Sequence, residues 1–250
     1  MGHFLYHPKS FRTARELARL LRIPFNRNID QIKRKRSYPV IRYGCSHGEF
    51  YKDTNINSPE IIRLCANSYW FGRWAKDNEF NVPYYSRFDW NNLPEYPFLL
   101  RNLYHMAGRD IIIIKSEQDL MRIRRNILAQ RYVVDFVPTS SELRVHVINS
   151  KIVRIFKKVK PGHIERGEMI RTSRHGFHYS LRLDETLNNK YQKAQELAVN
   201  ISSKLGLFFG GIDMAWNKEK KEYIIWEINT APGLNPNTMR IYANELREYI

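Results

Sequence analysis

Three side chains that carry oxygen ligands lie near the C-terminus of the chain: Asp213, Glu227 and Asn229. Glu227 and Asn229 are two residues apart, so in a β-strand both side chains point to the same face. Two carboxylates and an amide offer only oxygen atoms. Such ligands suit Mg²⁺, which completes its octahedron with water and phosphate oxygens. The three residues therefore predict a magnesium site.

Two short apolar segments must position these ligands. Residues 207–214 and 223–228 have the pattern of strands, and the polar residues 217–221 between them are typical of a hairpin turn. The second strand is followed directly by Asn-Thr-Ala-Pro-Gly at 229–233. The alternative interpretation is a surface hairpin with solvated carboxylates. That interpretation does not require such a turn directly after an apolar strand, and we therefore favour a site.

This hairpin resembles the metal-binding hairpin of the ATP-grasp superfamily, above all that of D-alanine–D-alanine ligases and of glutamate ligases that modify ribosomal proteins. In those proteins an Asp on one strand is followed by Glu-x-Asn on the next strand and by a turn with Pro-Gly. The resemblance covers roughly residues 95–240. It implies an α+β fold in which two α+β lobes clasp ATP. The implied domains are a reduced N-terminal domain (1–95), a small lobe (96–137) and a C-terminal lobe with the hairpin (138–250).

The resemblance also implies the residues that bind the nucleotide, in the order of the superfamily. Arg101 ends a predicted strand where the family usually has a phosphate-binding Lys, and a guanidinium keeps that positive charge. Glu142 matches the acid that accepts hydrogen bonds from the ribose hydroxyls. Residues 135–137 match the hinge whose backbone pairs with adenine. The full set of candidates is Arg101, His105, Gly108, Asp135, Phe136, Val137, Glu142, Arg144 and Lys157.

Three further residues are candidates for the catalytic step: Lys158, Arg171 and Gly233. Lys157 and Lys158 alternate on one predicted strand, so only one of them can face the site, and the sequence does not decide which. Arg171 resembles part of an Arg-x-Asn element of the ribosomal-protein glutamate ligases, with Ser173 in place of Asn. Gly233 would offer a backbone N–H to the acyl oxygen or to a substrate carboxylate.

The implied activity is ATP-dependent ligation of a carboxylate to an amine through an acylphosphate. ATP and Mg²⁺ are the expected cofactors, with two metal ions and Mn²⁺ as an alternative metal. D-alanine–D-alanine ligases carry an Arg two residues before the metal-binding Asp, whereas this chain has Gly211 there. The substrate is therefore not expected to be two D-alanines, and a peptide or another polymer is the expected acceptor. Two alternatives remain: a nucleic-acid-binding protein on an inactive ATP-grasp scaffold, and an ATP-grasp kinase.

The charge of the chain limits its partners. Its 250 residues contain 41 Lys and Arg but 25 Asp and Glu, and the net charge of +16 favours polyanions such as nucleotides, acidic peptides or nucleic acid. The clearest basic segments are residues 33–36 and 157–160. No apolar run approaches the 18 residues of a membrane span. Two cysteines, Cys45 and Cys65, provide no disulfide framework, and the N-terminus has no signal-peptide core, so a cytoplasmic location is expected.

Helices and strands alternate irregularly along the chain, with hairpins late in the sequence. This order predicts an α+β fold rather than a regular succession of strands and crossover helices. Helices are predicted at 10–21, at 58–69, at 116–129 and at 188–205, where Gly206 ends the last one. The other predicted strands are 38–43, 97–101, 111–114, 132–137, 143–148 and 152–156. The strand at 111–114 is expected to be buried on both faces, because its apolar run is continuous.

Overall fold

The computed structural model of the protein describes residues 2–26, 39–47, 55–102, 111–160, 176–186 and 188–250. In this part of the chain the strands form three sheets, one of five strands and two of four. The strands of the three sheets lie within residues 3–56, 85–135 and 139–229, in chain order. Helices pack on these sheets, which gives the α+β fold that the sequence predicts.

The first sheet is parallel and has the strand order β2-β1-β3-β4. Its strands are β1 (His3–Tyr6), β2 (Phe25–Asn26), β3 (Val40–Tyr43) and β4 (Asn55–Ile56). Helix α1 (Phe11–Leu21) buries Ala14, Leu17, Ala18 and Leu21 against this sheet and against the last helix of the chain. The helix begins where the sequence predicts, but Ser10 does not cap it. The Ser10 hydroxyl instead donates to the carbonyl of His7.

Two helices replace the one predicted at 58–69. The first, α2 (Pro59–Ala66), begins as expected, and the Ser58 hydroxyl accepts a hydrogen bond from the Ile61 N–H. The chain then leaves the helical conformation at Asn67. Its side chain accepts hydrogen bonds from two N–H groups and so starts α3 (Ser68–Asp77). The capping amide therefore divides an apolar pattern that looks continuous.

The second sheet is antiparallel and has the order β5-β8-β6-β7. Its strands are β5 (Tyr85–Arg87), β6 (Phe98–Asn102), β7 (Ile112–Ile114) and β8 (Arg131–Asp135). Strand β7 lies at an edge with Ile112 and Ile113 half-buried, so the prediction that both its faces are buried is wrong. The helix predicted at 116–129 consists of two short pieces, α4 (Glu117–Met121) and α5 (Arg125–Leu128).

The third sheet is antiparallel and has the order β11-β10-β9-β12-β13. Its strands are β9 (Thr139–Ile148), β10 (Lys151–Val159), β11 (His178–Asp184), β12 (Phe209–Asn217) and β13 (Glu222–Asn229). The two predicted hairpins are confirmed. Asn149 and Ser150 both have positive φ, as the tight turn between β9 and β10 requires.

Helix α6 (Gln192–Leu205) covers one face of the third sheet and ends at Gly206, which has a φ of 71° as expected for a left-handed cap. Leu143, Val145 and Ile212 point from the sheet into this core. Side chains alternate between the two faces of each strand, so the residues between these apolar positions lie on the opposite face. The last helix, α7 (Pro236–Leu246), follows the turn after β13 and packs against α1.

Candidate active site

A row of charged side chains crosses the face of the third sheet that α6 leaves open. Arg144 on β9 lies directly opposite Asp213 on β12, which in turn lies directly opposite Glu227 on β13. Directly opposed residues in a sheet share a face. Glu142 lies two residues before Arg144 and therefore also shares this face. Local strand patterns and the register between the strands thus bring the predicted metal ligands together with two predicted nucleotide ligands.

Two close ion pairs form within this row. The guanidinium of Arg144 grips both oxygens of Asp213, with Nε 2.6 Å from Oδ1 and Nη2 2.7 Å from Oδ2. The ammonium of Lys158 on β10 lies 2.6 Å from Oε2 of Glu142. All four side chains are between 11% and 16% exposed, so water screens these pairs only weakly. Asp213 and Glu142, each predicted to bind a ligand, are thus already paired with a cation of the chain.

The ring of Tyr179 covers both cations. The Arg144 guanidinium lies 4.2 Å from the ring centroid, and the Lys158 ammonium lies 5.4 Å from it. Burial raises the pKa of Tyr179 well above its usual value, and the nearby Asp213 raises it further, so the hydroxyl stays protonated. Tyr179 is not among the site residues predicted from the sequence, because strand β11 was not predicted. The alternation of polar and apolar residues over 178–183 is the signal that could have found the strand.

The ionised form of Glu227 is disfavoured by its surroundings. Its pKa is raised by burial and then by the charge of Asp213, and the cations Arg101, Arg144 and Lys158 offset this only in part. The pKa of Arg144 is also raised. Burial, the largest single influence, would lower it, but the charge and hydrogen bond of Asp213 together with Tyr179 and Glu227 outweigh burial. A further positive charge beside Asp213 and Glu227 would relieve the repulsion between the two carboxylates.

The donor set fits a divalent cation with oxygen ligands. Asp213 and Glu227 supply carboxylates, and Asn229 supplies an amide oxygen that also accepts a hydrogen bond from the Ala231 N–H at 2.9 Å. A carbonyl oxygen has two lone pairs, so this bond leaves one for a metal. In the described part of the chain, no group of three or more His, Cys, Asp or Glu side chains could hold a metal ion. Such a small set suits Mg²⁺, which takes most of its ligands from water and phosphate.

We call Glu142, Arg144, Lys158, Asp213 and Glu227 the charged cluster. The second sheet contributes one further cation to it. Arg101 on β6 lies opposite Tyr132 on β8. Its charge lowers the pKa of Glu227, and it also opposes the burial that raises the pKa of Tyr85 and Tyr132. The side chain therefore acts on both sheets, and the structure places Arg101 close to the predicted metal ligands.

The predicted hinge joins the second and third sheets, because residues 136–138 connect β8 to β9. Phe136 packs against the cluster that contains Tyr85, Leu99 and Tyr132. The Oδ1 atom of Asp135 is buried without a hydrogen-bond partner among the described residues. Burial raises the pKa of this carboxyl group, although Lys76 and Lys220 act against it. Val137 is half-buried in the same connection.

Several predicted residues lie apart from the cluster. Lys157 is opposite the core residue Leu143, so it lies on the face that α6 covers, and Lys158 is the lysine on the charged face. Gly233 lies in an exposed turn, and a Cβ atom there would have nothing within 4 Å. Outside the described residues lie His105, Gly108, Arg171 and the basic run at 33–36.

The first sheet meets the turn that follows β13. The hydroxyl of Tyr43, at the end of β3, donates to the carbonyl of Pro232. A Cβ atom on the next residue, Gly44, would lie 2.8 Å from the Cβ of Ala231. In the order β2-β1-β3-β4, the strand that follows β1 in the chain and the strand that follows β3 lie on opposite sides of this central pair. In parallel sheets, ligands bind in the crevice outside the carboxyl ends of two strands related in this way. This crevice therefore borders on the charged cluster.

Gly211 accommodates the charged cluster sterically. A Cβ atom at Gly211 would lie 3.1 Å from the Cβ of Pro232 and 3.3 Å from the Cδ of Arg144. The stem of Arg144 thus occupies the space beside the position where D-alanine–D-alanine ligases carry their own Arg.

The described residues include no helix that is both long and apolar enough to cross a membrane.

Comparison with known proteins places this geometry in context. The family of RimK-like ATP-grasp domains matches residues 89–249. The chain is 24% identical over 156 residues to a Mycoplasma pneumoniae protein named Uncharacterized protein MG012 homolog, a match that covers 60% of this chain and 49% of that protein. The matched segment thus spans about half the length of that relative.

Solved structures share the fold at low sequence identity. The D-alanine–D-alanine ligase of Bacillus anthracis superposes with a TM-score of 0.67 at 11% identity, and the match covers 99% of both chains. The ATP-grasp ligase PsnB with a minimal precursor has the same TM-score and identity, with 100% of this chain and 99% of that one covered. The former ligase is also known in complex with ATP, and PsnB in complex with Mg and ADP.

Proposed function

Because the chain belongs to the RimK-like ATP-grasp family, we propose that it is an ATP-dependent ligase that joins a carboxylate to an amine through an acylphosphate. The observation that carries this proposal is the charged cluster on the third sheet. There the Arg144–Asp213 and Lys158–Glu142 pairs lie beside Glu227. Groups that position phosphates and offset charge are what phosphoryl transfer requires of a protein.

Each member of the cluster has a role in this proposal. Asp213, Glu227 and Asn229 would hold Mg²⁺, which when bound neutralises charge on the phosphates. Arg101 and Lys158 bind phosphate oxygens. Arg144 orients the Asp213 carboxylate, since its fork fixes both oxygens. Lys158 donates one hydrogen bond to Glu142, and an ammonium has three N–H donors, so it can bond to a phosphate oxygen as well. The Glu142 carboxylate accepts hydrogen bonds from the ribose hydroxyls.

The remaining nucleotide contacts are those of the hinge and of the outlying candidates. The backbone of Asp135, Phe136 and Val137 pairs with adenine, and Phe136 belongs to an aromatic cluster against which a base can pack. His105, Gly108 and Arg171 keep the roles that the resemblance assigns to them. Lys157 is opposite Leu143, on the face away from the cluster, and we therefore propose no direct nucleotide contact for it.

The reaction proceeds in two steps. A carboxylate oxygen of the first substrate attacks the γ-phosphorus of ATP, the bond to the bridging oxygen breaks, and ADP leaves. The amine of the second substrate then attacks the acyl carbon, inorganic phosphate leaves, and the amine loses a proton. The protein forms no covalent bond in either step and contributes by positioning and by electrostatic stabilisation.

The acceptor binds, in this proposal, in the crevice between the ends of β1 and β3 and the turn 229–233. His7 follows β1 at this edge. The pKa of His7 is lowered first by burial, then by the charge of Lys9 and then by that of His47, so a second imidazole lies near it. Gly233 is exposed in the turn, and a Cβ atom there would have nothing within 4 Å, so a substrate oxygen has room to approach its backbone N–H. An open crevice of this kind suits a peptide or another polymer as acceptor.

Trapping with hydroxylamine tests the proposed chemistry. The protein, ATP and Mg²⁺ are incubated with a panel of amino acids and short acidic peptides, with hydroxylamine as surrogate amine. An acylphosphate gives a hydroxamate together with ADP, and we expect both in equal amounts. The variant Glu227→Ala should give neither. ADP with a phosphorylated product but without hydroxamate would instead identify a kinase, and the ligase proposal would be wrong.

A further inference from the structure

The charged cluster does not account for the basic character of the chain. It contains three cations, Arg101, Arg144 and Lys158, and they face three carboxylates, Glu142, Asp213 and Glu227. The cluster is therefore balanced, whereas the chain as a whole carries a net charge of +16. The surplus positive charge must lie on other surfaces.

Helix α1 concentrates part of this surplus on one exposed stripe. Arg12, Arg15 and Arg19 lie on the helix and Arg22 caps its C-terminus, and all four side chains are exposed. The spacing i, i+3, i+7 places the three helical arginines within an arc of about 60° around the helix axis. Arg22 follows at the end of the helix in the left-handed conformation, with a φ of 57°. The stripe is about 15 Å long, at 1.5 Å per residue. The opposite side of α1 is buried against the first sheet and α7, so the stripe faces away from the protein.

Acidic side chains neutralise little of this stripe. Among the described residues no carboxylate pairs with Arg12, Arg15 or Arg22. Arg19 has an exposed pair with Glu16 at 2.9 Å. Such exposed pairs contribute about 1 kcal/mol or less and yield readily to another anion. Arg247, directly after α7, adds a fifth guanidinium at the end of α1, where it donates to the Leu20 carbonyl.

The stripe does not serve the stability of the helix. Like charges three or four residues apart destabilise a helix by about 0.2–0.5 kcal/mol for each pair. The first turn of α1 contains no acidic residue, although an acid there would be favourable to the helix dipole, and Ser10 provides no side-chain cap. A surface that costs the helix stability in several ways is better explained by a ligand than by folding.

We propose that the arginine stripe of α1 binds the phosphodiester backbone of a nucleic acid. A guanidinium forms two parallel hydrogen bonds to a phosphate, and the stripe uses arginine without lysine. A duplex carries one phosphate for about every 1.7 Å of its axis, so about nine lie along the length of the stripe, and those on the facing side are within reach of the arginines.

Other polyanions fit this stripe less well. An extended acidic peptide presents side chains on one face about every 6.7 Å, so only two or three carboxylates would face the stripe. An anionic membrane would require an apolar face beside the arginines, but Phe11 is the one large apolar side chain that α1 exposes, and the other apolar residues of the helix pack against the first sheet and α7. This inference is independent of the proposed ligase activity, since the stripe lies outside the charged cluster.

Fluorescence anisotropy without ATP tests the inference. The probes are a labelled RNA of about 20 nucleotides, the DNA of the same sequence and the duplex of each, at about 50 to 200 mM salt. The stripe variant carries Arg12→Gln, Arg15→Gln, Arg19→Gln and Arg22→Gln. The matched control carries Arg73→Gln, Arg122→Gln, Arg124→Gln and Arg125→Gln, which are also exposed and remove the same charge. Circular dichroism confirms that both variants are folded.

We expect wild type to bind at least one of the four probes, which identifies the class of nucleic acid. The stripe variant should lose at least about 30-fold in affinity, and its salt dependence should fall by a slope of about 3, at 0.7 to 0.9 for each lost phosphate contact. The control should change less than about threefold. Equal losses in both variants, no salt-dependent binding by wild type, or equal competition by a poly-glutamate of the same charge would each overturn the inference. Unchanged binding of an ATP analogue by the stripe variant keeps this result separate from the proposed ligase function.

Discussion

Arg144 donates two hydrogen bonds to Asp213, the carboxylate that the proposed function assigns to a metal ion. Its fork holds both oxygens of Asp213 at 2.6 and 2.7 Å, and only 16% of its side chain is exposed. In the absence of metal this guanidinium is the direct partner of Asp213, while Asp213 and Glu227 repel each other. A bound metal would also offset the repulsion between Asp213 and Glu227, since it would supply a second positive charge.

Replacing Arg144 should therefore destabilise the metal-free protein. Removing one partner of a largely buried ion pair costs about 3 kcal/mol, so Arg144→Gln should lower the free energy of unfolding in urea by about that amount. Arg144→Lys, which keeps the charge but not the fork, should lose less. Adding Mg²⁺ and ADP should recover part of the loss in Arg144→Gln. If the free energy of unfolding does not change, the pair does not hold Asp213 in place.

Lys157 and Lys158 form a matched pair of neighbours with opposite orientations. Lys158 lies in the cluster and contacts Glu142, whereas Lys157 is opposite Leu143 on the other face. Lys158→Gln should weaken the binding of an ATP analogue about tenfold, because a charge-assisted hydrogen bond contributes about 1.5–3 kcal/mol. Lys157→Gln should leave the dissociation constant nearly unchanged. Equal effects in calorimetric titrations of the two variants would show that the face of the strand does not decide the role.

His146 makes the stability of the protein depend on pH. Burial, followed by the charges of Arg144 and Arg154, lowers the pKa of this imidazole to about 3, and its Nδ1 lies 2.9 Å from the Tyr242 hydroxyl. The pKa in the unfolded chain is higher, about 6.5. The unfolded state therefore binds more protons between these two values, and the free energy of unfolding falls as the pH is lowered from 6.5 towards 3.

The variant His146→Gln isolates this contribution. Glutamine can still bond to Tyr242 but does not titrate. The free energy of unfolding, measured in urea between pH 6 and pH 4, should have a slope in the variant that is smaller by about 1.4 kcal/mol per pH unit. Identical slopes in the variant and the wild type would mean that His146 is not kept neutral in the folded protein.

At the scale of elements, close packing joins α3 to the second sheet. A Cβ atom on Gly72 of α3 would lie 2.3 Å from the ring of Tyr85 on β5, whose hydroxyl lies within reach of the Trp226 carbonyl. Helix and strand thus approach so closely that only glycine fits between them. The position of β5 beside the charged cluster depends on this contact.

Gly72→Ala should destabilise the protein although alanine favours helices. Overpacking costs about 1–3 kcal/mol, and a contact of 2.3 Å is expected to fall in the upper part of that range, above the gain of about 1 kcal/mol in helix propensity. Gly233→Ala is the control, since a Cβ atom there meets nothing within 4 Å, and its effect should stay within about 0.5 kcal/mol. Thermal unfolding of both variants provides the comparison. A Gly72→Ala protein as stable as wild type would show that Tyr85 can move aside.

Elements with strong local signals were predicted correctly from the sequence. The β9–β10 hairpin follows from Asn149-Ser150, and the start of α2 follows from Ser58-Pro59. The helix boundary at Asn67 was missed because the apolar pattern continues through it. Strand β11 was missed as well, although its alternating residues carry a weak signal. The exposure of β7 was wrong, since a run of isoleucines does not reveal that its strand lies at an edge.

The candidate site was predictable in part for the same physical reason. Asp213, Glu227 and Asn229 could be placed on one face, because alternation along a strand is local. The partnership of Arg144 with Asp213 depends on the register between β9 and β12, 69 residues apart, which no local pattern specifies. Alternation also left Lys157 and Lys158 undecided, since it separates two faces without saying which one α6 covers.

At the scale of the whole molecule, the cluster exists only where the three sheets converge. The third sheet supplies both ion pairs, the second supplies Arg101, and the first packs its strand ends against the turn 229–233. The domain boundaries at 95 and 137 stay predictions. Strand β5 precedes the first boundary but pairs with β8, which follows it. The nucleotide should therefore bind at a junction rather than on any single lobe.

The most direct test of the account is a calorimetric titration of ADP, with and without Mg²⁺, into three proteins. These are wild type, the double variant Asp213→Asn/Glu227→Gln, and the control Glu219→Gln/Glu222→Gln, which removes the same charge from the same hairpin. We predict Mg²⁺-dependent binding to wild type and to the control, and none to the double variant. Equal binding by all three proteins, or no binding by wild type, would contradict the assignment of this hairpin as the metal and nucleotide site.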